Sequence, residues 1–225
     1  MFHQTIDNLI SVQKEINLLV STLKYENYNP NIIAVSKTFP ITNILPLINH
    51  GHIHYGENKV QECLEKWKSI KDDFLHIKLH MLGKLQTNKV KLALSLFDYI
   101  HSLDNIKLAK KISSEQLKYK IKPKIFIQIN IENEVQKSGI EIENLNSFYK
   151  ICKNDLELNI VGLMCIPPQN DNFDHYFSKI QALSNNLSLT DLSIGMSGDY
   201  LAAIKSKSTF LRLGTRIFGE RDTKF

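Results

Sequence analysis

Two side chains in this sequence stand where they could do chemistry: a lysine at the end of an apolar run, and an arginine between two glycine-bearing loops. Lys37 follows four consecutive apolar residues in Asn31-Ile-Ile-Ala-Val-Ser-Lys-Thr38, which read as a strand buried on both faces, and Pro40 opens the next segment as a helix start. A lysine there would point into whatever cavity the strand ends surround. Desolvation disfavours the ammonium form, so such a lysine loses its proton more readily than the ~10.4 of a free side chain implies. A neutral lysine amine attacks carbonyls, which points to a Schiff base. Taken alone, the stretch favours the plainer reading of a lysine that snorkels out to solvent, and the rest of the chain must decide.

The second group lies near the other end of the sequence. Gly195-Met-Ser-Gly-Asp199 and Leu213-Gly-Thr-Arg216 each offer glycine-permitted backbone N–H groups and a hydroxyl, the second where a helix could begin. Gly-Met-Ser-Gly alone is an ordinary strand-to-helix turn; paired with Leu-Gly-Thr it reads as a phosphate cradle. Arg212 sits in Phe-Leu-Arg-Leu-Gly, where the flanking leucines would face the opposite side and leave the guanidinium inside the mouth that the strands enclose. An unpaired charge there would be costly, so Arg212 is either ion-paired with an Asp or Glu of another strand or a donor to a ligand. His80, His101 and Tyr55 are candidate bases, each also read as a strand residue with a satisfied ring or hydroxyl. His50-Gly-His-Ile-His54 has no carboxylate or cysteine at ligand spacing and is not read as a metal site.

Positioning these residues requires strands at regular intervals. Apolar residues at near-helical period (Ile6, Leu9, Ile10, Ile16, Leu19, Val20, Leu23) predict a helix over 4–24, before the Lys37 strand. A helix over 41–48, ended by Gly51, is followed by strand 52–57 and helix 58–70. Strand 74–82 leads to helix 86–97, and strand 99–103 to helix 104–117, capped by Asp104. Strand 124–130, a polar loop over 132–139 and helix 142–152 come next. Strand 158–166, closed by Pro167-Pro168, precedes helix 172–187; strand 191–196, helix 198–205 and strand 210–213 complete the pattern. The class is therefore α/β, a single (β/α)8 TIM barrel with an extra N-terminal helix, in one domain over 1–225; an open doubly wound sheet is the rival. In such a barrel the site lies at the C-terminal strand ends, with phosphate commonly bound after strands 7 and 8.

Composition narrows the class. A net charge of +5 with scattered basic residues marks no nucleic-acid footprint. Three cysteines without metal-type spacing suit reduced thiols, and with no signal-peptide core and no apolar run near the ~20 residues of a membrane span, a cytoplasmic protein is expected. Of 28 Lys and Arg residues only Arg212, Arg216 and Arg221 are arginine. That bias looks mutational, so the surviving arginines mark places that need a planar, permanently charged fork.

The blocks Ile33-Ala-Val-Ser-Lys-Thr38, Tyr55-Gly-Glu-Asn-Lys-Val-Gln-Glu62, His80-Met-Leu-Gly-Lys-Leu-Gln-Thr-Asn-Lys89, Gly162-Leu-Met164, Ile194-Gly-Met-Ser-Gly-Asp199 and Arg212-Leu-Gly-Thr-Arg-Ile-Phe-Gly219 run through nearly the whole chain. In that order they resemble the pyridoxal phosphate homeostasis proteins, the PROSC-type family with the barrel of the alanine racemase amino-terminal domain. The resemblance implies that Lys37 holds pyridoxal 5′-phosphate (PLP) as an internal aldimine, that Ser197, Gly214 and Thr215 hold its phosphate, that Arg212 faces the pyridine nitrogen, and that Asn58 and Met164 line the ring. It implies PLP homeostasis as a carrier with little or no turnover, apo forms of PLP-dependent enzymes as recipients, and a monomer. A PLP-dependent racemase or lyase is the alternative, for which the racemase's second domain, the obvious source of an opposing base, is not expected here. Tyr55, Lys59 and Lys84 depart from the usual residues and place the pocket rim in doubt. Since guanidinium only donates, a pyridine nitrogen opposite Arg212 must accept, which weakens the ring as an electron sink.

Overall fold

The computed structural model describes residues 3–134, 136–168 and 172–220; Arg221 lies outside them. Eight parallel strands, β1 (Asn31–Val35), β2 (His54–Glu57), β3 (Lys78–Met81), β4 (Tyr99–Leu103), β5 (Lys124–Ile129), β6 (Ile160–Cys165), β7 (Asp191–Met196) and β8 (Phe210–Leu213), pair in sequence order and close on themselves. Closure comes from β8 on β1, with Ile33 opposite Arg212 and Ala34 opposite Leu213. The open doubly wound sheet is excluded, because such a sheet would leave two strand edges unpaired.

Side chains alternate across the barrel wall. Ile33, Val35, Phe126, Met164 and Phe210 form an apolar cluster with Tyr99 within the barrel, whereas Ile32, Ala34, Leu211 and Leu213 join the larger core between strands and helices. Arg212 thus faces inward between two outward leucines, as the alternation requires. Outside lie α2 (Ile41–Asn49), α3 (Val60–Asp73), α4 (Val90–Leu96), α5 (Ile106–Tyr119), α6 (Ile142–Lys150), α7 (Phe173–Asn186), α8 (Tyr200–Lys205) and the short α9 (Thr215–Phe218). The leading helix α1 (Gln4–Thr22) covers the closing seam: it packs on α2, α8 and α9, burying Leu9, Val12 and Ile16. Glu15 of α1 accepts from the Tyr200 hydroxyl and from Arg216, and Asn8 donates to the Ile217 carbonyl.

Several boundaries differ from the sequence reading, for local reasons. Asn105, not Asp104, caps α5, its side chain accepting from Leu108 N at 2.8 Å, while Asp104 Oδ1 accepts from the Asn105 amide. β2, β3 and β6 are shorter than expected because the wall is only four to six residues deep, and the apolar residues before them, such as Ile77, enter through turns. The helix expected over 142–152 widens into a π turn, Ile151–Asp155, closed by Leu156 N on the Ile151 carbonyl. Helix α8 starts at Tyr200, after a turn over the Gly198 region.

Gly162 marks the tightest point of the wall. A Cβ there would lie 2.0 Å from the Asp191 carbonyl oxygen and 2.8 Å from the Phe126 ring. Backbone cannot give way as a flexible side chain can, so Gly162→Ala is expected to cost about 1–3 kcal/mol, lowering the melting temperature by roughly 2–12 °C in a thermal unfolding experiment. An unchanged melting temperature would contradict this account of the β6–β7 contact.

Candidate functional site

The seven residues singled out from sequence all sit in the C-terminal half of the barrel wall or just beyond it. Lys37 follows β1, Asn58 follows β2 and Ser197 follows β7; Gly214 and Thr215 follow β8, while Met164 and Arg212 point inward from β6 and β8. Because β7, β8, β1 and β2 are successive neighbours in the closed barrel, Ser197, Gly214, Thr215, Lys37 and Asn58 share one arc of its rim.

The backbone around Lys37 is clamped from below by groups the sequence reading did not single out. Ser36 is fully buried, and its hydroxyl donates to Glu57 Oε1 at 2.7 Å. Lys66 of α3 donates to the Ser36 carbonyl, to Glu57 and, at 3.1 Å, to Glu62 one helical turn earlier. Trp67 Nε1 adds a third donor to Glu57 Oε1, and Thr38 N donates to Glu62 at 2.5 Å. Residues on both sides of Lys37 are therefore fixed, and Thr38 is held at φ 69°. Burial alone would raise the Glu62 pKa, but bonds from Thr38 N–H and Lys66 outweigh it and hold the carboxylate below its ordinary value. One signal was available in sequence: a glutamate between Gly56 and Asn58 at a strand end, with Glu62 and Lys66 at helical spacing beyond it.

The two glycine-bearing loops meet at Ser197. Its Oγ accepts from Gly214 N at 3.2 Å and Arg216 N at 3.4 Å, so two backbone N–H groups converge on one hydroxyl. Gly195 must be glycine: φ is +91°, and a Cβ would lie 2.6 Å from that of Ala203. Met196 N donates to Asp199 Oδ1, closing the turn. Gly198 differs, since a Cβ there would meet nothing within 4 Å, and one on Gly214 would only touch Val35 at 3.7 Å. The cradle thus combines a hydroxyl, converging N–H groups and room beside Gly198 and Gly214, and fits a phosphate.

Arg212 is 5% exposed and has no carboxylate partner among the described residues, which corrects the ion-pair reading. Its Nη1 donates to the Ser193 carbonyl and, at 2.8 Å, to Ser193 Oγ; Nη2 donates to the Cys165 carbonyl at 2.9 Å. Burial pulls its pKa down to about 10, partly offset by the charge of Asp199. At neutral pH it remains a cation. Arg216 has a different task, bonded to Glu15 and lying over the Tyr200 ring on the outer surface.

Below Arg212 the histidines line up. Ser193 Oγ lies 2.8 Å from His101 Nδ1, His101 Nε2 is 2.9 Å from His80 Nδ1, and His80 Nε2 is 2.9 Å from His54 Nδ1. His80 and His101 are satisfied as expected, and burial holds both well below the ordinary histidine pKa. The Tyr55 reading needs correction. Alternation in β2 turns Tyr55 outward onto Trp67, so it is neither a base inside the barrel nor part of the rim, and its buried hydroxyl has no partner among the described residues. Lys84 does reach the rim, lining a cavity of about 340 Å³ with Asn58, Gln128 and Lys137; Gly83 there packs directly against the Asn58 backbone.

Comparison with known proteins places this geometry. Residues 8–222 match the family described as alanine racemase, N-terminal domain. The pyridoxal phosphate homeostasis protein of Haemophilus influenzae is 35% identical over 95% of this chain and 97% of its own length. That of Aquifex aeolicus is 38% identical over 84% of this chain and 86% of its own. PipY of Synechococcus elongatus PCC7942, solved with PLP bound, superposes with a TM-score of 0.78 at 30% identity, covering 91% of this chain and 100% of that one. No helix among the described residues is long and apolar enough to cross a membrane. The chain belongs to the pyridoxal phosphate homeostasis protein family, on the barrel of the alanine racemase N-terminal domain.

Proposed function

We propose that this protein holds pyridoxal 5′-phosphate covalently through Lys37 and acts in the cytoplasm as a monomeric PLP carrier and buffer, with apo forms of PLP-dependent enzymes as recipients and little or no turnover of its own. The observation that carries the reading is the arc of the rim on which a clamped lysine, a phosphate cradle and a buried arginine occupy successive strand ends. When bound, PLP supplies a reactive carbonyl and a conjugated ring that can draw electrons from an attached amine.

This chain's own residues set what becomes of that capacity. Ser197, Gly214 and Thr215 are the proposed holders of the phosphate, which would take over the Gly214 and Arg216 N–H groups that otherwise converge on Ser197 Oγ. The clamp of Glu57, Lys66 and Glu62 fixes the backbone from which Lys37 reaches, lowering the entropy cost of holding one geometry. Arg212 has five N–H groups, three of which go to Ser193 and Cys165; as a pure donor it favours an unprotonated ring nitrogen. A ring so held is a poor electron sink, which suits storage better than chemistry at an amino acid's α-carbon. Asn58 at the rim and Met164 in the barrel interior are the proposed flanks of the ring.

Borohydride reduction of the PLP-loaded protein, followed by peptide mapping, is expected to find the phosphopyridoxyl group on Lys37, and Lys37→Ala should abolish the yellow colour; a label on another lysine would overturn the assignment. Ser197→Ala removes one hydrogen bond to a charged group, about 1.5–3 kcal/mol, and should weaken PLP binding roughly ten- to a hundredfold in a titration. In deuterated water with L-alanine, α-deuterium incorporation should be slow while transfer of PLP to an added apo-enzyme proceeds. Exchange near the ~10 per second of ordinary enzymes would favour the racemase or lyase instead.

A further inference from the structure

His54, His80, His101 and Ser193 are not needed to bind phosphate or to form a bond at Lys37, yet they make one continuous file through the barrel interior. The three rings run head to tail, each turning Nδ1 toward Arg212 and Nε2 away from it. His80 stacks on Tyr99 and His101 on Phe126, each pair with centroids 4.3 Å apart, which fixes the ring planes. His54 opens β2 at the opposite mouth of the barrel, where Lys78 of β3, Asp98 before β4 and Lys124 of β5 surround it.

We propose that these four residues are positioning residues for Arg212, a proton-ordered chain that holds the buried guanidinium by aligned dipoles in place of a carboxylate. The order follows from donor counting. Arg212 can only donate, so Ser193 Oγ accepts from it and turns its single hydrogen to His101 Nδ1. His101 then carries its proton on Nε2 and gives it to His80 Nδ1; His80 does the same toward His54. Every ring is neutral, in one tautomer, with its acceptor nitrogen facing the cation. The reverse order would leave the Ser193 hydrogen without an acceptor in the chain.

This arrangement has a consequence for the ligand face. A carboxylate would cancel the charge of Arg212, whereas a row of neutral dipoles stabilises it and leaves two of its N–H groups, without acceptors among the described residues, for a ligand. Asp199 is the acidic group that acts on Arg212, and its Oδ1 accepts from Met196 N. The file also resists acid. The outermost nitrogen, His54 Nε2, already bears a proton, so the rings cannot be charged from the far mouth without breaking a bond. Burial, with Lys78 and Lys124 opposed by Asp98, pulls His54 down to about 4. In the unfolded chain each ring takes a proton near 6.5, so below that value each neutral ring lowers the folding equilibrium constant by about tenfold per pH unit, until its folded pKa is reached.

The proposal rests on the reading of Arg212 as a ligand donor, but its test does not need the ligand. Long-range proton–nitrogen correlation spectra of the 15N-labelled full chain, without added PLP, should show His54, His80 and His101 neutral with the proton on Nε2, at about pH 8 and still at about pH 5. A proton on Nδ1, or an imidazolium, at His80 or His101 would overturn the chain. Ser193→Ala should release His101 and His80 into a mixture of tautomers, and Ser193→Thr, which keeps the hydroxyl, should restore one. A single Nε2–H tautomer persisting in Ser193→Ala would show that Arg212 does not order the file. The wild-type spectrum decides the polarity even if the alanine variant fails to fold, and the borohydride label on Lys37 is judged separately.

Discussion

The pairing of β8 with β1 is the contact on which the rest depends. Four residue pairs, from Asn31 with Phe210 to Ala34 with Leu213, turn a twisted parallel sheet into a closed wall. They also set Lys37 at the rim beside Gly214 and Thr215. Phe39, two residues past Lys37, adds a stack on Phe218 of α9, and a one-residue slip would turn Arg212 out of the barrel and a leucine in.

Around that seam the protein handles two buried charges in opposite ways. Glu57, fully buried, is matched by the Lys66 ammonium, with Trp67 and Ser36 adding donors to the same oxygen. A buried ion pair of this kind contributes little net stability, because desolvating both partners offsets their attraction. What it provides is geometry: Lys66 also grips the Ser36 carbonyl and the glutamate that holds Thr38. Arg212, by contrast, is given carbonyls, a hydroxyl and the histidine file. The charge that fixes the backbone is neutralised by an opposite charge, and the charge of Arg212 is held by neutral groups.

Much of this was legible in the sequence because strand alternation and loop chemistry are local. Leu211 and Leu213 flanking Arg212 were enough to turn the arginine inward, and eight apolar runs at near-even spacing pointed to a barrel, although only the pairing of β8 with β1 excludes the open doubly wound sheet. Asn105 was misjudged against Asp104 because both are good capping residues, and only the exact turn of the helix start decides between them. Tyr55 was misjudged because a run of apolar and polar residues does not say which of its two alternating sets faces in: His54 meets His80 inside the barrel, which turns Tyr55 outward onto Trp67. Only the local half of the clamp, Glu57 with Glu62 and Lys66, left a signal; its bond to Ser36 and the histidine file were not legible, since they join residues far apart: Glu57 meets Ser36 across 21 positions, and His101 meets Ser193 across 92.

The seam helix α1 bears on how the molecule comes into being. Asn8 meets Ile217 across 209 positions and Glu15 meets Arg216 across 201, so the segment after β8 is braced by the opposite end of the chain. During synthesis the lysine strand emerges long before β8 exists for it to pair with. Until then β1 presents an open edge of apolar residues, and the loop over Gly214 has nothing to lean on. Such high contact order makes closure a late event in folding. A ribosome-bound chain short of β8 therefore exposes Lys37 without the loop over Gly214 and Thr215 beside it, and the arc of the rim is assembled only after both ends have met.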